Sequence, residues 1–194
     1  MNEHIEDERI EQMHAKIGAR LLTVALTTVA LTLAGSADAA AQLSLEGRAG
    51  VPIPMGELVE EGLDQTAGLA FAGAALYTFR DNLSAYFEGS WQQFNCDGCE
   101  TDVESWGFDG GLKYVLAASG TALPWVRAGV TLQQVSVGDS EGEWGLGLDS
   151  GIGIDWLLTE RFALVPALRF DVYGVDDLTV RYLTIDLGAH WHLY

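Results

Sequence analysis

Basic residues are scarce in this chain: ten Lys and Arg stand against 28 Asp and Glu, for a formal net charge of −18. Nucleic-acid affinity rests on neutralised phosphates, so nucleic acid is excluded as a partner. Cysteine is nearly absent. Cys96 and Cys99 are the only two, and no helix N-terminus is expected beside Cys96 to lower its pKa, which argues against a thioredoxin-like thiol. No apolar run reaches the roughly 20 residues that a membrane-spanning helix requires. The longest, residues 21–33, is apolar apart from its threonines. From Leu43 onward no helical period lasts three turns, so a helical fold is excluded too.

What the chain does have begins with an export pattern. Lys16 and Arg20 precede the apolar run, and the small residues 34–41 follow it, offering Ala37-Asp38-Ala39 and Ala39-Ala40-Ala41 as cleavage sites. That order of basic, apolar and small residues is the order of a secretory signal. Residues 1–41 are therefore expected to be a signal peptide, with a mature chain of 42–194 beginning near Gln42. Glu3, Glu6, Asp7, Glu8 and Glu11 lie ahead of the basic part, an arrangement that fits a start at Met13 with 1–12 as an acidic N-terminal extension. In an exported chain Cys96 and Cys99, which flank Asp97-Gly98, are expected to form a disulfide across a tight turn.

After the signal, apolar residues alternate with polar or tiny ones, the two-residue period of a strand. Leu183, Ile185, Leu187, Ala189, Trp191 and Leu193 share one face, opposed by Tyr182, Thr184, Asp186, Gly188, His190 and His192. The same alternation runs through residues 106–116, 144–156 and 162–172, and with more noise through 43–51, 68–79, 83–94 and 123–137. Eight strands result. Their connections alternate between short ones, at 80–82, 119–120 and 159–160, and longer ones, at 52–66, 95–102, 138–142 and 174–179. An all-β, eight-stranded, antiparallel up-and-down transmembrane barrel has this asymmetry, with tight periplasmic turns, longer outer loops and both termini in the periplasm.

A soluble lipocalin-like barrel would alternate too, with its apolar side inward. Two features assign the apolar side to lipid. Gly107, Gly111, Gly145, Gly147, Gly151 and Gly153 lie on the polar face, and an eight-stranded barrel is barely wide enough inside for side chains. Large aromatics on the apolar face also cluster near strand ends. Trp91, Trp106 and Trp144 flank the long loops, and Tyr77, Tyr114, Trp156, Phe162 and Trp191 flank the short turns, as the two interfacial belts of a membrane barrel do.

The chain ends Asp186-Leu187-Gly188-Ala189-His190-Trp191-His192-Leu193-Tyr194, a polar residue, a glycine and two hydrophobic residues two apart. With Arg48-Ala49-Gly50-Val51-Pro52 and Pro54-Met55-Gly56 as first strand and loop, residues 43–194 resemble the small OmpA/OmpX-type outer membrane protein β-barrel family. The resemblance implies outer-membrane lipid and lipopolysaccharide as surroundings, and recognition of the terminal strand by the barrel-insertion machinery. No cofactor is expected, and with no EF-hand spacing in the acidic connections no metal site is expected either.

Parity directs Glu46, Arg48, Glu88, Asp109, Lys113, Arg127, Asp149, Arg169, Asp171 and Asp186 into the barrel, with Asp155 near the periplasmic rim. Charges so confined must pair or reach water. The expected result is a lumen plugged by charged side chains; the alternative is a narrow ion or small-solute pore. A lipid-modifying enzyme would need a histidine by the outer rim, and His190 and His192, the only two after residue 41, stand at the opposite end. No catalytic residue is expected. Glu57, Glu60, Glu61, Asp64, Asp97, Glu100, Asp102, Asp139, Glu141, Asp176 and Asp177 fill the long connections without one Lys or Arg, giving a solvated acidic rim able to meet lipopolysaccharide through divalent cations. The leading expectation is thus a non-enzymatic barrel with a structural, surface-interaction or adhesion role.

Overall fold

In the computed structural model, residues 42–59, 65–96, 103–116, 120–137, 142–175 and 178–193 are described. Eight strands account for nearly all of them: β1 Gln42–Met55, β2 Gln65–Arg80, β3 Leu83–Cys96, β4 Val103–Val115, β5 Ala122–Val137, β6 Glu143–Leu157, β7 Phe162–Val175 and β8 Leu178–His192. Each pairs antiparallel with its sequence neighbour, and β1 pairs with β8 from Ser44↔His192 to Met55↔Arg181, closing the barrel. A single-turn 3₁₀ helix, Gly56–Val59, follows β1.

Period-two alternation places every other side chain outside. Leu45, Phe71, Phe87, Leu112, Val130, Leu148, Ile152 and Leu187 all stand exposed, as does Leu146 at 69%. Water would penalise so continuous an apolar wall, whereas hydrocarbon accepts it, and a closed barrel leaves no unpaired strand edge to satisfy there. The lipocalin-like alternative, which needs its apolar side inward, does not survive this arrangement. Among the described residues no helix is long and apolar enough to cross a membrane; the strands do the crossing.

Two connections differ from expectation. The first strand runs through Pro52 and Pro54 to Met55, where a long loop was expected from residue 52. Pairing with β2 ends at Gly50↔Ala70 while pairing with β8 continues, so β1 is an edge on one side there and tolerates residues that cannot donate. The long connection expected at 174–179 shrinks to residues 176–177, because Gly174↔Thr179 and Val175↔Leu178 extend the β7–β8 ladder. Buried Tyr173, Val175, Val180 and Tyr182 carry that extension inward. The strict alternation of short and long connections therefore fails at β7–β8.

Candidate functional site

Because residues two apart share a face, one strand delivers its charges to the lumen at intervals that neighbouring strands can meet. Glu46, Arg48, Glu88, Asp109, Lys113, Arg127, Asp149, Arg169, Asp171 and Asp186 are all buried, Glu88 and Asp171 completely. Glu88 is the hub. Its carboxylate accepts from Arg48 Nη2, from Arg127 Nη1 at 3.0 Å and from Arg169 Nη1 at 2.9 Å. The hub residue lies on β3 and its three arginines on β1, β5 and β7, so the four odd-numbered strands are tied together across the interior. Each arginine holds a second carboxylate: Arg48 Nη1 lies 3.3 Å from Glu46, Arg127 Nη2 lies 2.9 Å from Asp149, and Arg169 Nε lies 2.6 Å from Asp186. Tyr86 donates to Asp149 at 2.5 Å, and the Arg127 guanidinium lies over its ring. Spread over several partners, the charges of this web recover part of their lost hydration.

Toward the rim where the barrel's two chain ends lie, Lys113 Nζ donates to Asp155 at 2.9 Å and to Glu46 at 3.3 Å. Its ammonium sits 4.5 Å from the ring centre of Trp125. His190 Nδ1 stands 3.5 Å from Asp155 and 3.9 Å from Glu46, and neither ring nitrogen makes a hydrogen bond. Toward the other rim the lumen turns from charge to amide and hydroxyl. Gln133 donates to Ser90, Thr131 and Asp109, Gln92 donates to Tyr182 at 2.6 Å, and Ser105 reaches both Gln133 and Tyr173. Beyond them Leu58, Phe94, Val103, Val135, Tyr173, Val175, Val180 and Tyr182 form an apolar cluster.

That cluster, Trp125 and the glutamine network were missed in the sequence. No local pattern in the sequence marked Trp125: its register partner on β6 is Gly153, where an added Cβ would press on the indole, and that pairing is set only when the barrel closes. Of the ten inward charges, only Asp171 has two carboxylate oxygens without a hydrogen-bond partner.

On the outside, Trp106, Tyr114, Trp144, Trp156, Phe162 and Trp191 are exposed, while Trp91 and Tyr77 are half-buried. Phe71 stacks on Trp91 at 6.0 Å, and Trp106 meets Trp144 edge-on at 5.1 Å. Of the acidic connection residues, Glu57 alone is described. It is not freely solvated, since its carboxylate accepts from the Thr179 backbone N–H at 2.7 Å and pins the 3₁₀ turn to β8. Cys96 ends β3; Cys99, the signal segment and the remaining acidic residues lie outside the described residues.

The architecture is that of the small eight-stranded, OmpA/OmpX-type barrels found in bacterial outer membranes. Neisserial surface protein A superposes with a TM-score of 0.61 at 16% identity, covering 77% of this chain and 96% of that one. The outer membrane protein OprG from Pseudomonas aeruginosa gives 0.53 at 13% identity over 79% of this chain and 93% of its own. The N-terminal barrel domain of Pseudomonas aeruginosa OprF gives 0.51 at 18% over 79% and 99%. No family model and no curated protein sequence matches. The likeness is one of fold.

Proposed function

We propose that this protein is a sealed, non-enzymatic barrel of the bacterial outer membrane, serving a structural or surface-interaction role. The observation that carries the reading is Glu88, held by three arginines from three other strands. Beside this hub the cavity among Glu46, Arg48, Tyr86, Lys113, Trp125 and Arg127 measures only ≈ 10 Å³, about the room one water needs. The apolar cluster closes the other rim against ions. Both obstructions argue against the narrow-pore alternative. Against an enzyme stands His190, buried among carboxylates at the rim opposite that cluster.

Planar-bilayer recording of the refolded protein tests the reading. No steady conductance is expected, whereas reproducible unit steps in the parent protein would replace the plug with a pore.

Residues 1–41 direct secretion, both termini face the periplasm, the terminal strand addresses the insertion machinery, and the acidic outer loops meet lipopolysaccharide through divalent cations. Cys96 and Cys99 are oxidised together. One intact-mass measurement on membrane-extracted protein reads both covalent claims. A chain starting near Gln42 that takes up no alkylating reagent before reduction is expected. A mass that includes Met1 or Met13 would refute the signal, and two labelled thiols would refute the disulfide.

A further inference from the structure

Within the lumen the charges do not balance. Arg48, Lys113, Arg127 and Arg169 face seven buried carboxylates, namely Glu46, Glu88, Asp109, Asp149, Asp155, Asp171 and Asp186. An excess of three negative charges inside a barrel walled by hydrocarbon is costly unless cations or protons join them. The place best equipped to receive a cation is at the rim of the chain ends, where Glu46, Asp155 and His190 each offer a ligand atom within 4.8 Å of the others.

Three buried groups close together are not yet a site. His190 supplies the second observation. Its side chain is only 6% exposed, and no hydrogen bond of good geometry satisfies either ring nitrogen, although Nδ1 lies within ion-pair reach of both carboxylates. Nδ1 is aimed at the two carboxylates, 3.5 Å from Asp155 Oδ2 and 3.9 Å from Glu46 Oε2. Donors placed tetrahedrally about a zinc-sized ion, each near 2.0 Å from it, lie about 3.3 Å apart. The imidazole-to-carboxylate separations are a few tenths of an ångström wider than those edges, so modest side-chain rotations would bring three protein ligands onto the ion and leave the fourth position to water.

The geometry points to a transition-metal site at Glu46, Asp155 and His190, taking a divalent ion of the zinc class. One imidazole and two carboxylates suit such an ion, whereas calcium and magnesium prefer oxygen alone. Lys113 is the competitor. Its ammonium holds both carboxylates, so the lumen has two ways to satisfy them, and metal entry releases Lys113 from at least part of its grip. A bound dication cuts the excess of three charges to one. The inference concerns the chain-end rim and is independent of whether the barrel conducts.

The lysine gives the test an unusual sign. Membrane-extracted protein in detergent is titrated with Zn²⁺ against a chelating dye, and with Co²⁺ by its visible absorption. Saturable binding of one ion per chain is expected. His190→Gln should weaken binding roughly tenfold or more, while Lys113→Met should tighten it about tenfold, because a competing positive charge is gone. Gel mobility before and after heating checks that each variant is folded. If His190→Gln does not fold, Asp155→Asn takes its place. His192, whose ring centre lies 4.5 Å from that of His190, provides the counter-test. Equal loss in His192→Gln, with no gain in Lys113→Met, would mean a mere histidine pair at the rim and overturn the proposal. So would absence of saturable binding in both the parent and Lys113→Met.

Discussion

Glu88→Gln should lower the unfolding midpoint in detergent more than any single arginine replacement in the lumen. The carboxylate it removes is wholly buried and accepts from Arg48, Arg127 and Arg169. Breaking one buried pair strands its partner at about 3–5 kcal/mol; here three guanidiniums lose a shared partner and face one another across a narrow space. Each keeps a second carboxylate, which holds the loss within a range the fold can survive. Arg127→Met and Arg169→Met should follow, each losing two ion pairs. Arg80→Met, on the exposed end of β2, should stay within about 0.5 kcal/mol of the parent. The sign at Glu88 separates two accounts. If overall lumen charge governed stability, neutralising a carboxylate in a lumen with too many would stabilise the barrel. If geometry governs, the barrel is weakened. Unfolding midpoints for Glu88→Gln, Arg127→Met and Arg169→Met no lower than for Arg80→Met would indicate a hydrated lumen in which water screens every pair.

The charges were legible because parity in a strand is strict: a residue such as Asp186, set between Ile185 and Leu187, can only face away from both. Partners were not legible. Which strands meet at Glu88 depends on the closure of eight strands and their stagger, and no local pattern in 83–94 records that β1, β5 and β7 converge there. The apolar cluster was hidden for the opposite reason. Phe94 and Val135 lie on the inward face, where polarity was the expected signal, so they registered as noise in their segments, and Val103 and Val180 fell outside the segments that alternation marked. Leu58 comes from a turn outside any strand and has no parity to read. Pro52 and Pro54 misled in the usual direction, since proline ends a strand except where a neighbour has departed. In each case tertiary closure supplied the information that the chain's local pattern lacked.

One chemical change, glycine to alanine, should have opposite effects on the two sides of the barrel wall. At Gly73, on β2, an added Cβ meets nothing within 4 Å. Alanine there should be neutral or stabilising by roughly 0.5–1 kcal/mol, because it removes backbone freedom from the unfolded chain. At Gly147, on β6, the added Cβ would press on the β7 backbone, 2.5 Å from the Cα of Tyr173 and nearer still to the Val172 carbonyl oxygen. Gly153 presents the same problem, with the Trp125 ring in closest approach and the Pro166 carbonyl oxygen 2.8 Å away. Backbone cannot rotate aside as a lysine tip can, so β6 and β7 must part locally and carry the ion-pair web with them. Gly147→Ala and Gly153→Ala should each cost about 1–3 kcal/mol, and Gly147→Val should leave much of the protein unable to close, read as loss of the fast-migrating folded band. Heat-midpoint and gel-mobility measurements on the set decide the matter. Equal tolerance at Gly73 and Gly147 would mean that the interior has slack, and a lumen with slack is one that water can enter.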